Sequence, residues 1–406
     1  MRFLANGPSI PTELLVARDE GRVVFFCGAG VSRARAGLSD FFGLARKVTE
    51  ILGVVPEEPS RRIIEEAKET ERRTGIGGLI PADRVFGLLE RGFVAKDIET
   101  AVGKALKPSP DVDLSAHRIM LDLATGPDGR VRLVTTNFDT LFESCNTSLA
   151  CWKPPRLPDP RRLEEFQGVI HLHGHVNSDY TGAAGDGFVL SSSEFGRAYL
   201  SEAWATLFMK SILNRYAVVF VGYTADDPPV QYLLEALNFD PTSLREVYAF
   251  QAGPADDAQA RWAHKGVIPI VYDEAEDHRA LWDTLEAWAV RARNPDTWYE
   301  RVIGMAHRGP EALPPHERGQ VAHVISTLYG ARKFSAAVDP PPAQWLCVLD
   351  SAIRYSRPGH LGRFREKGSY FDPFDAYGLD EDPFPPKIDP NESFAKREVP
   401  KGVWDG

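Results

Sequence analysis

At 406 residues the chain exceeds a usual single domain of roughly 100–200 residues, so one large domain plus additions is expected. A formal net charge of -10 argues against a basic nucleic-acid-binding face, and 43% hydrophobic with 26% charged residues is ordinary globular composition rather than that of a disordered chain. Four cysteines without a C-x-x-C pair make neither a disulfide framework nor an obvious zinc knuckle.

The N-terminal stretch Met1 to Leu15 carries Pro8 and Pro11 and does not read as a secretory signal. Strands are expected at Arg22–Cys27, Val131–Thr136, Gly168–Leu172, Phe188–Leu190, Ala217–Val221, Glu246–Phe250 and Val267–Val271. Between the first two lies a long connection, Gly37 to Asp128, with helical stretches at Phe41–Leu52, Ser60–Thr74, Ala82–Arg91, Ala95–Leu106 and Leu114–Ala124. One crossover helix needs about 10–15 residues, so residues 54–112 read as an inserted helical subdomain over the sheet edge. Ser193 to Tyr216 reads as one or two helices, and Asp226-Asp227-Pro228-Pro229 starts another through Val230, Leu233, Leu234 and Leu237. His278 to Val290 is a further amphipathic helix; beyond Ala292 the periodicity weakens, with helices open at Gln320–Leu328 and Gln344–Tyr355. From Arg357 the chain is rich in Pro, Asp, Phe and Gly and cannot easily form its own core. The alternation predicts an α/β fold: a doubly wound, parallel, Rossmann-like sheet with the helical insertion and a C-terminal extension. The expected division is 1–291 for the nucleotide-binding domain and 292–406 for an extension toward a sensor or partner region.

Cys27 reads as a small buried hydrophobe and Cys347 as core. Cys145 and Cys151 are close enough in sequence to pair, but a reducing cytosol favours free thiols. The longest apolar run, about Tyr216 to Tyr223, is far short of the ~20 residues that span a bilayer, so a soluble cytoplasmic protein without membrane contact is expected.

Four segments fall at the C-terminal ends of expected strands, the edge where open α/β sheets bind ligands. Gly28-Ala29-Gly30-Val31-Ser32 is a glycine turn suited to a phosphate, although the third glycine of the dinucleotide fingerprint is absent; a ligand-free strand-to-helix turn is the alternative. In Thr135-Thr136-Asn137-Phe138-Asp139, Asn137 can bond a ribose hydroxyl or a water, while Asp139 can equally cap the following helix. His171-Leu172-His173-Gly174-His175 alternates three imidazoles at strand period. A metal is not expected there, because no carboxylate stands beside them and the outer two would splay about 7 Å apart. A single catalytic His is the better reading, with His173 preferred, His171 as a bonded core residue and His175 at the surface or a pocket rim. Val221-Gly222-Tyr223-Thr224 leaves the most apolar strand, and Gly222 permits close approach of a ligand.

Together these residues resemble the sirtuin family, in particular its bacterial anti-phage defence branch, over roughly Leu14 to Val290. Gly28-Ala29-Gly30-Val31-Ser32 resembles the phosphate turn, Gly37-Leu38-Ser39-Asp40-Phe41 the family's Gly-Ile-Pro-Asp-Phe, Thr136-Asn137-Phe138-Asp139 its Gln-Asn-Ile-Asp, and Leu172-His173-Gly174 its catalytic His-Gly. The resemblance implies that Asn137 orients the nicotinamide ribose and the attacking group, that His173 is the general base and that Asp139 shapes the nicotinamide pocket. It further implies that Gly28, Ala29, Gly30, Ser32, Asp40, Phe41, Thr136, Gly222 and Tyr223 bind NAD. The four-cysteine zinc module of deacylating sirtuins is missing, which the defence branch shares. The expected activity is therefore an NAD glycohydrolase, with NAD as substrate and no metal, that depletes NAD in abortive infection. It would be held off by homo-oligomerisation or a partner protein and released by a phage-derived trigger. An NAD-dependent deacylase and a non-catalytic NAD or ADP-ribose sensor are the alternatives.

Overall fold

The computed structural model describes residues 1–74, 78–225, 234, 246–262 and 265–345. The Asp226–Pro229 helix start with Val230, Leu233 and Leu237, together with Cys347 and the chain from Arg357, lies outside the described residues. The chain divides into two compact units: residues 16–278, and residues 1–15 with 279–406.

In the first unit seven parallel strands form one sheet: β1 (Val23–Cys27), β2 (Arg132–Thr135), β3 (Cys151–Trp152), β4 (Gly168–His171), β5 (Ala217–Val221), β6 (Val247–Ala252) and β7 (Ile268–Tyr272). Their order is β3-β4-β2-β1-β5-β6-β7, which bears out the doubly wound α/β expectation. β1, β2, β4 and β5 are buried along their whole length, as continuous apolar runs in a two-sided sheet must be. The chain steps from β1 outward through β2 and returns past it to β5, so the strand order reverses between β1 and β5. Ligands of open α/β sheets bind at such a switch point.

Phe188–Leu190 is not a strand; the chain is irregular there, and Leu190 N–H donates to the Glu194 carboxylate instead of a ladder. Glu194 belongs to the capping box that starts α9 (Ser192–Gly196; α-helices are numbered below in chain order), so the apolar triplet is the entry to a helix.

Short α1 (Thr12–Asp19) precedes the sheet, and α2 (Ala29–Ala34) follows β1 directly. The long connection holds α3 (Phe41–Ile51), α4 (Pro59–Thr74), α5 (Ala82–Leu89), α6 (Ala95–Leu106) and α7 (Ser115–Ala124), each within about two residues of its expected bounds. In α6, Ile98, Ala101, Val102 and Leu106 recur at helical spacing and are buried. They share a core with Phe86 and Val85 of α5, Leu44 and Val48 of α3, and with Phe138, Val176, Phe188 and Leu190 from the loops after β2 and β4. The helical layer therefore packs on the segments that leave the C-terminal edge of the sheet. Each fully buried Val, Phe or Ile contributes about 1.5–3 kcal/mol to that attachment.

α8 (Leu141–Cys145) follows β2; α10 (Trp204–Leu213) precedes β5; α11 (Ala255–Trp262) joins β6 to β7. In the second unit, the later turns of α12 (Ala275–Arg293) associate with α13 (Pro295–Ala306), α14 (Pro315–Ile325) and α15 (Leu328–Ser335). The first residues of the chain fold onto them: Gln320 Nε2 donates to the carbonyls of Arg2 and Phe3, and Phe3 packs edge-on to Trp298. α13 and α15 were not expected from the sequence. Among the described residues, no helix is long and apolar enough to cross a membrane.

Two glycines explain how the β1 and β5 turns meet. A Cβ on Gly30 would lie 2.7 Å from Gly222 Cα, and one on Gly28 would lie 2.6 Å from Gly222 O and 2.8 Å from the Tyr223 ring. Gly30→Ala is expected to destabilise the fold by about 1–3 kcal/mol through overpacking. Gly87→Ala, in the interior of α5 with open space around it, should stabilise by up to about 1 kcal/mol. Denaturant unfolding of the two variants checks the opposite signs.

Candidate active site

The ends of β1, β2 and β5 are tied by polar side chains. Gly28 N–H donates to Val221 O (2.9 Å) and Gly30 N–H to Gly222 O (2.9 Å). Thr135 Oγ1 and Tyr223 OH both donate to Cys27 O, at 2.8 and 3.1 Å, and Tyr223 OH also lies 2.9 Å from Thr136 Oγ1. The glycines of the first turn, Thr136, Gly222 and Tyr223 thus all have partners within the protein, and the two turn glycines answer to the close approach of Gly222 before any ligand is considered.

Asn137 follows β2 and is buried. Its Nδ2 donates to Gly28 O and to Ser32 Oγ, both at 3.0 Å. Both amide hydrogens are engaged, so the carboxamide is locked, and Oδ1 accepts no hydrogen bond among the described residues. Ser32 Oγ in turn donates to Asp139 Oδ2 (2.8 Å) and lies 3.1 Å from His117 Nε2. With its one hydrogen given to Asp139, Ser32 accepts from both Asn137 and His117, which places the His117 proton on Nε2. Burial pushes the His117 imidazole below its ordinary value against the pull of Asp139 and Glu143, in keeping with that neutral form. Asp139 Oδ1 also accepts from Leu141 N–H (3.2 Å), so it starts α8 and anchors Ser32 at once. Burial, and then the Asp139 charge, hold the Cys27 thiol well above its usual value.

Thr135 pairs with His171 across β2 and β4, so Asn137 and His173 each lie two residues beyond a paired position on neighbouring parallel strands. Their side chains make different contacts. Asn137 reaches toward the β1 turn, whereas His173 Nε2 lies 2.8 Å from Tyr199 OH, with the His173 ring edge-on to Phe195 at 5.1 Å. Tyr199 sits in a π-helical turn, Arg197–Ser201, of a type that often marks functional positions. Burial alone holds the His173 imidazole down at about 3, so it is neutral near pH 7. Phe41, half-buried at the start of α3, packs on Phe138 (6.1 Å) and on Phe195 (6.3 Å) and so bridges the neighbours of the two residues. Asp40 is exposed and caps α3 by accepting from Gly43 N–H (2.7 Å).

The three imidazoles do not share a face. Strand geometry ends at His171, so the period-2 expectation fails at His173. Gly174, at φ +82°, turns the chain, and the His171 and His175 rings come to 4.7 Å instead of splaying. A carboxylate does stand beside them: Glu143 Oε1, from α8, lies 2.8 Å from His171 Nε2. Burial lowers the His171 pKa, but the Glu143 charge and the bonds to Cys151 and Glu143 outweigh it and hold the ring up at about 10. Burial, and then the His171 charge, push His175 down. Cys145 and Cys151 are free thiols.

A folded-state pKa raised above the ordinary value of about 6.5 adds stability that is complete below that pH and is lost as pH rises through about 10. Thermal midpoints measured from pH 6 to above 10 should fall along this limb, and Glu143→Gln should flatten it. Cys151 and His175 also face the ring, so their substitution should alter the limb less than Glu143→Gln does.

Residues 131–270 match the SIR2-like domain family. SIR2-like domains are typically NAD-dependent enzymes, and the matched range holds Asn137, Asp139, His173, Gly222 and Tyr223. The glycine turn lies outside that range and joins the SIR2-like region through the pairing of β1 with β2 and β5. The chain is also 33% identical, over an alignment of 326 residues that covers 76% of its length, to the uncharacterized protein y4cA of Sinorhizobium fredii (strain NBRC 101917 / NGR234). The match covers 26% of that relative, so this chain corresponds to about a quarter of it.

Sequence reading missed His117, Tyr199 and the partners of His171, Glu143 and Cys151. His117 had a signal: it interrupts the apolar face of α7 between Ala116 and Met120, where a polar residue needs a buried partner.

Proposed function

We propose that the α/β unit is an NAD glycohydrolase that cleaves NAD to ADP-ribose and nicotinamide. The observation that carries this reading is the locked Asn137 carboxamide, whose Nδ2 is fixed by Gly28 O and Ser32 Oγ and whose Oδ1 has no protein donor among the described residues. At the switch point of a SIR2-like sheet, that oxygen is an acceptor for a ribose hydroxyl or for the attacking water. The nicotinamide–ribose bond breaks through an oxocarbenium-like state, and the leaving group is already cationic in NAD, so no general acid is required. The water loses its proton to neutral His173, and Asp139 fixes Ser32 and through it Asn137. The glycine turn and the backbone around Ser32 receive the pyrophosphate, with Thr136, Tyr223, Asp40 and Phe41 around the cofactor. Phe41 shifts to admit the ribose, and the helical layer excludes bulk water.

The role as an NAD-depleting effector in anti-phage defence, held off by a partner or by self-association, belongs to the same proposal and rests on the sequence resemblance. The test is incubation of the purified full chain with NAD, followed by chromatography. Free ADP-ribose without any peptide supports hydrolysis, and O-acetyl-ADP-ribose formed only with acetylated peptide points to a deacylase. Binding without turnover is a second reading. His173 favours it, because an imidazole held at about 3 is a weak base in this conformation. Calorimetric binding with NAD recovered intact would establish it.

A further inference from the structure

Beside the proposed NAD site, on the β3–β4 edge, three side chains with metal-ligating atoms converge and a fourth, His175, stands next to one of them. Glu143, Cys151 and His171 each offer one ligand atom, and these atoms lie within 4.8 Å of one another. His175 Nε2 lies 3.4 Å from Cys151 Sγ. We propose that Glu143, Cys151, His171 and His175 bind one divalent transition-metal ion of the zinc class.

Three observations carry the assignment. Both imidazoles have Nδ1 against a backbone carbonyl, His171 on Asn137 O (3.1 Å) and His175 on Val176 O (2.7 Å). Each Nδ1–H therefore donates to a carbonyl and each Nε2 is turned inward, the arrangement that orients metal-bound histidines. Glu143 Oε2 is buried without a hydrogen-bond partner among the described residues, so half of this carboxylate lacks the contact its burial calls for. The donor set of one thiolate, two imidazoles and one carboxylate suits a borderline-soft, four-coordinate ion. Tetrahedral bonds of about 2.0–2.3 Å place neighbouring ligand atoms about 3.3–3.8 Å apart. The Cys151–His175 pair already fits, Glu143 and His171 need to part by about half an ångström from their present 2.8 Å, and the His175 ring has to swing in toward those two.

On binding, the His171 Nε2–H and Cys151 S–H protons leave to solvent and the ion takes their places. Cys151 is exposed on the two-residue edge strand β3, which gives the ion a way in. With four protein ligands the site is closed and structural. It lies apart from any four-cysteine module and does not depend on the glycohydrolase reading. It touches the proposed NAD site through His171 Nδ1, which grips the carbonyl of Asn137.

The test uses the full chain, stripped with a chelator and titrated with Co²⁺ as an optical probe, then with Zn²⁺ in competition. One Co²⁺ per chain is expected, with a thiolate-to-cobalt charge-transfer band that Zn²⁺ removes. Cys151→Ser, at an exposed position, should fold and lose the band; it should also weaken binding at least as much as the roughly 10–100-fold seen for outer-shell changes. His175→Gln, at a half-buried position, should weaken binding similarly, and Cys145→Ser should leave it unchanged. No charge-transfer band with the parent chain, or unchanged Co²⁺ affinity in Cys151→Ser and His175→Gln, overturns the assignment.

Discussion

Asn137→Ala is expected to lower NAD turnover by about 10²–10³-fold, the loss typical when one preorganised polar group is removed from a reaction centre. The carboxamide is held by two acceptors, Gly28 O and Ser32 Oγ, so its remaining oxygen needs no reorganisation when the ribose arrives. Alanine also leaves the buried Gly28 carbonyl and Ser32 each short of a partner, which costs about 1–3 kcal/mol. A domain of ordinary stability, about 5–15 kcal/mol, remains folded after that loss. Circular dichroism and thermal melting of the variant separate the two effects. Ser32→Ala should reproduce part of the activity loss by freeing the same amide. Unchanged turnover in folded Asn137→Ala would remove Asn137 from the chemistry.

His173→Gln is expected to reduce turnover by about 10²–10⁴-fold, the range of a positioned base. Glutamine preserves a hydrogen-bonding partner for Tyr199 OH, so the substitution tests the imidazole rather than the pocket's packing. The pH profile carries a second expectation. Because burial holds the ring at about 3, the parent enzyme should show no acid limb from this group between pH 5 and 9. A limb at the ordinary imidazole value of about 6.5 would contradict the fully buried His173 as the working state. Stability runs the other way from the His171 contribution. A folded-state pKa depressed below that of the unfolded chain gives stability that is present above about 6.5 and is lost as pH falls toward about 3. Full turnover in folded His173→Gln would rule out the base.

The central strands were legible because β-branched and aromatic runs of four to six residues announce buried parallel strands, as in Ala217–Val221. The connecting helices α3 to α7 were legible from their apolar spacing. β3 was not, since two residues carry no period, and Phe188–Leu190 imitated a strand because it packs into the helical layer. Of the helices after Ala292, α14 was legible only in its second half, where Gln320–Leu328 was expected. Its buried face includes Arg318, Gln320 and His323, so the 3.6-residue pattern is masked by polar residues whose partners lie elsewhere in the chain, as Gln320 shows with Arg2 and Phe3.

The candidate site was legible in its positions and less so in its contacts. Asn137, Asp139, His173, the glycine turn and Gly222 do follow strand ends. The glycines, however, answer first to one another across the switch point, and Asp40 first to its own helix. Such pairings join residues as far apart as Gly28 and Gly222, and no local pattern announces them. The Glu143–His171 and Ser32–His117 contacts are of the same kind.

The claim on which the account turns is that one NAD molecule lies between Asn137 and His173, and a structure of the full chain with NAD tests it most directly. The predicted result places the nicotinamide ribose against Asn137 Oδ1 with Phe41 displaced, His173 within one water of the reacting carbon, and the pyrophosphate at the Gly28–Ser32 turn. NAD bound away from the β1–β5 switch point, or bound there with its nicotinamide ribose out of reach of Asn137, would contradict it.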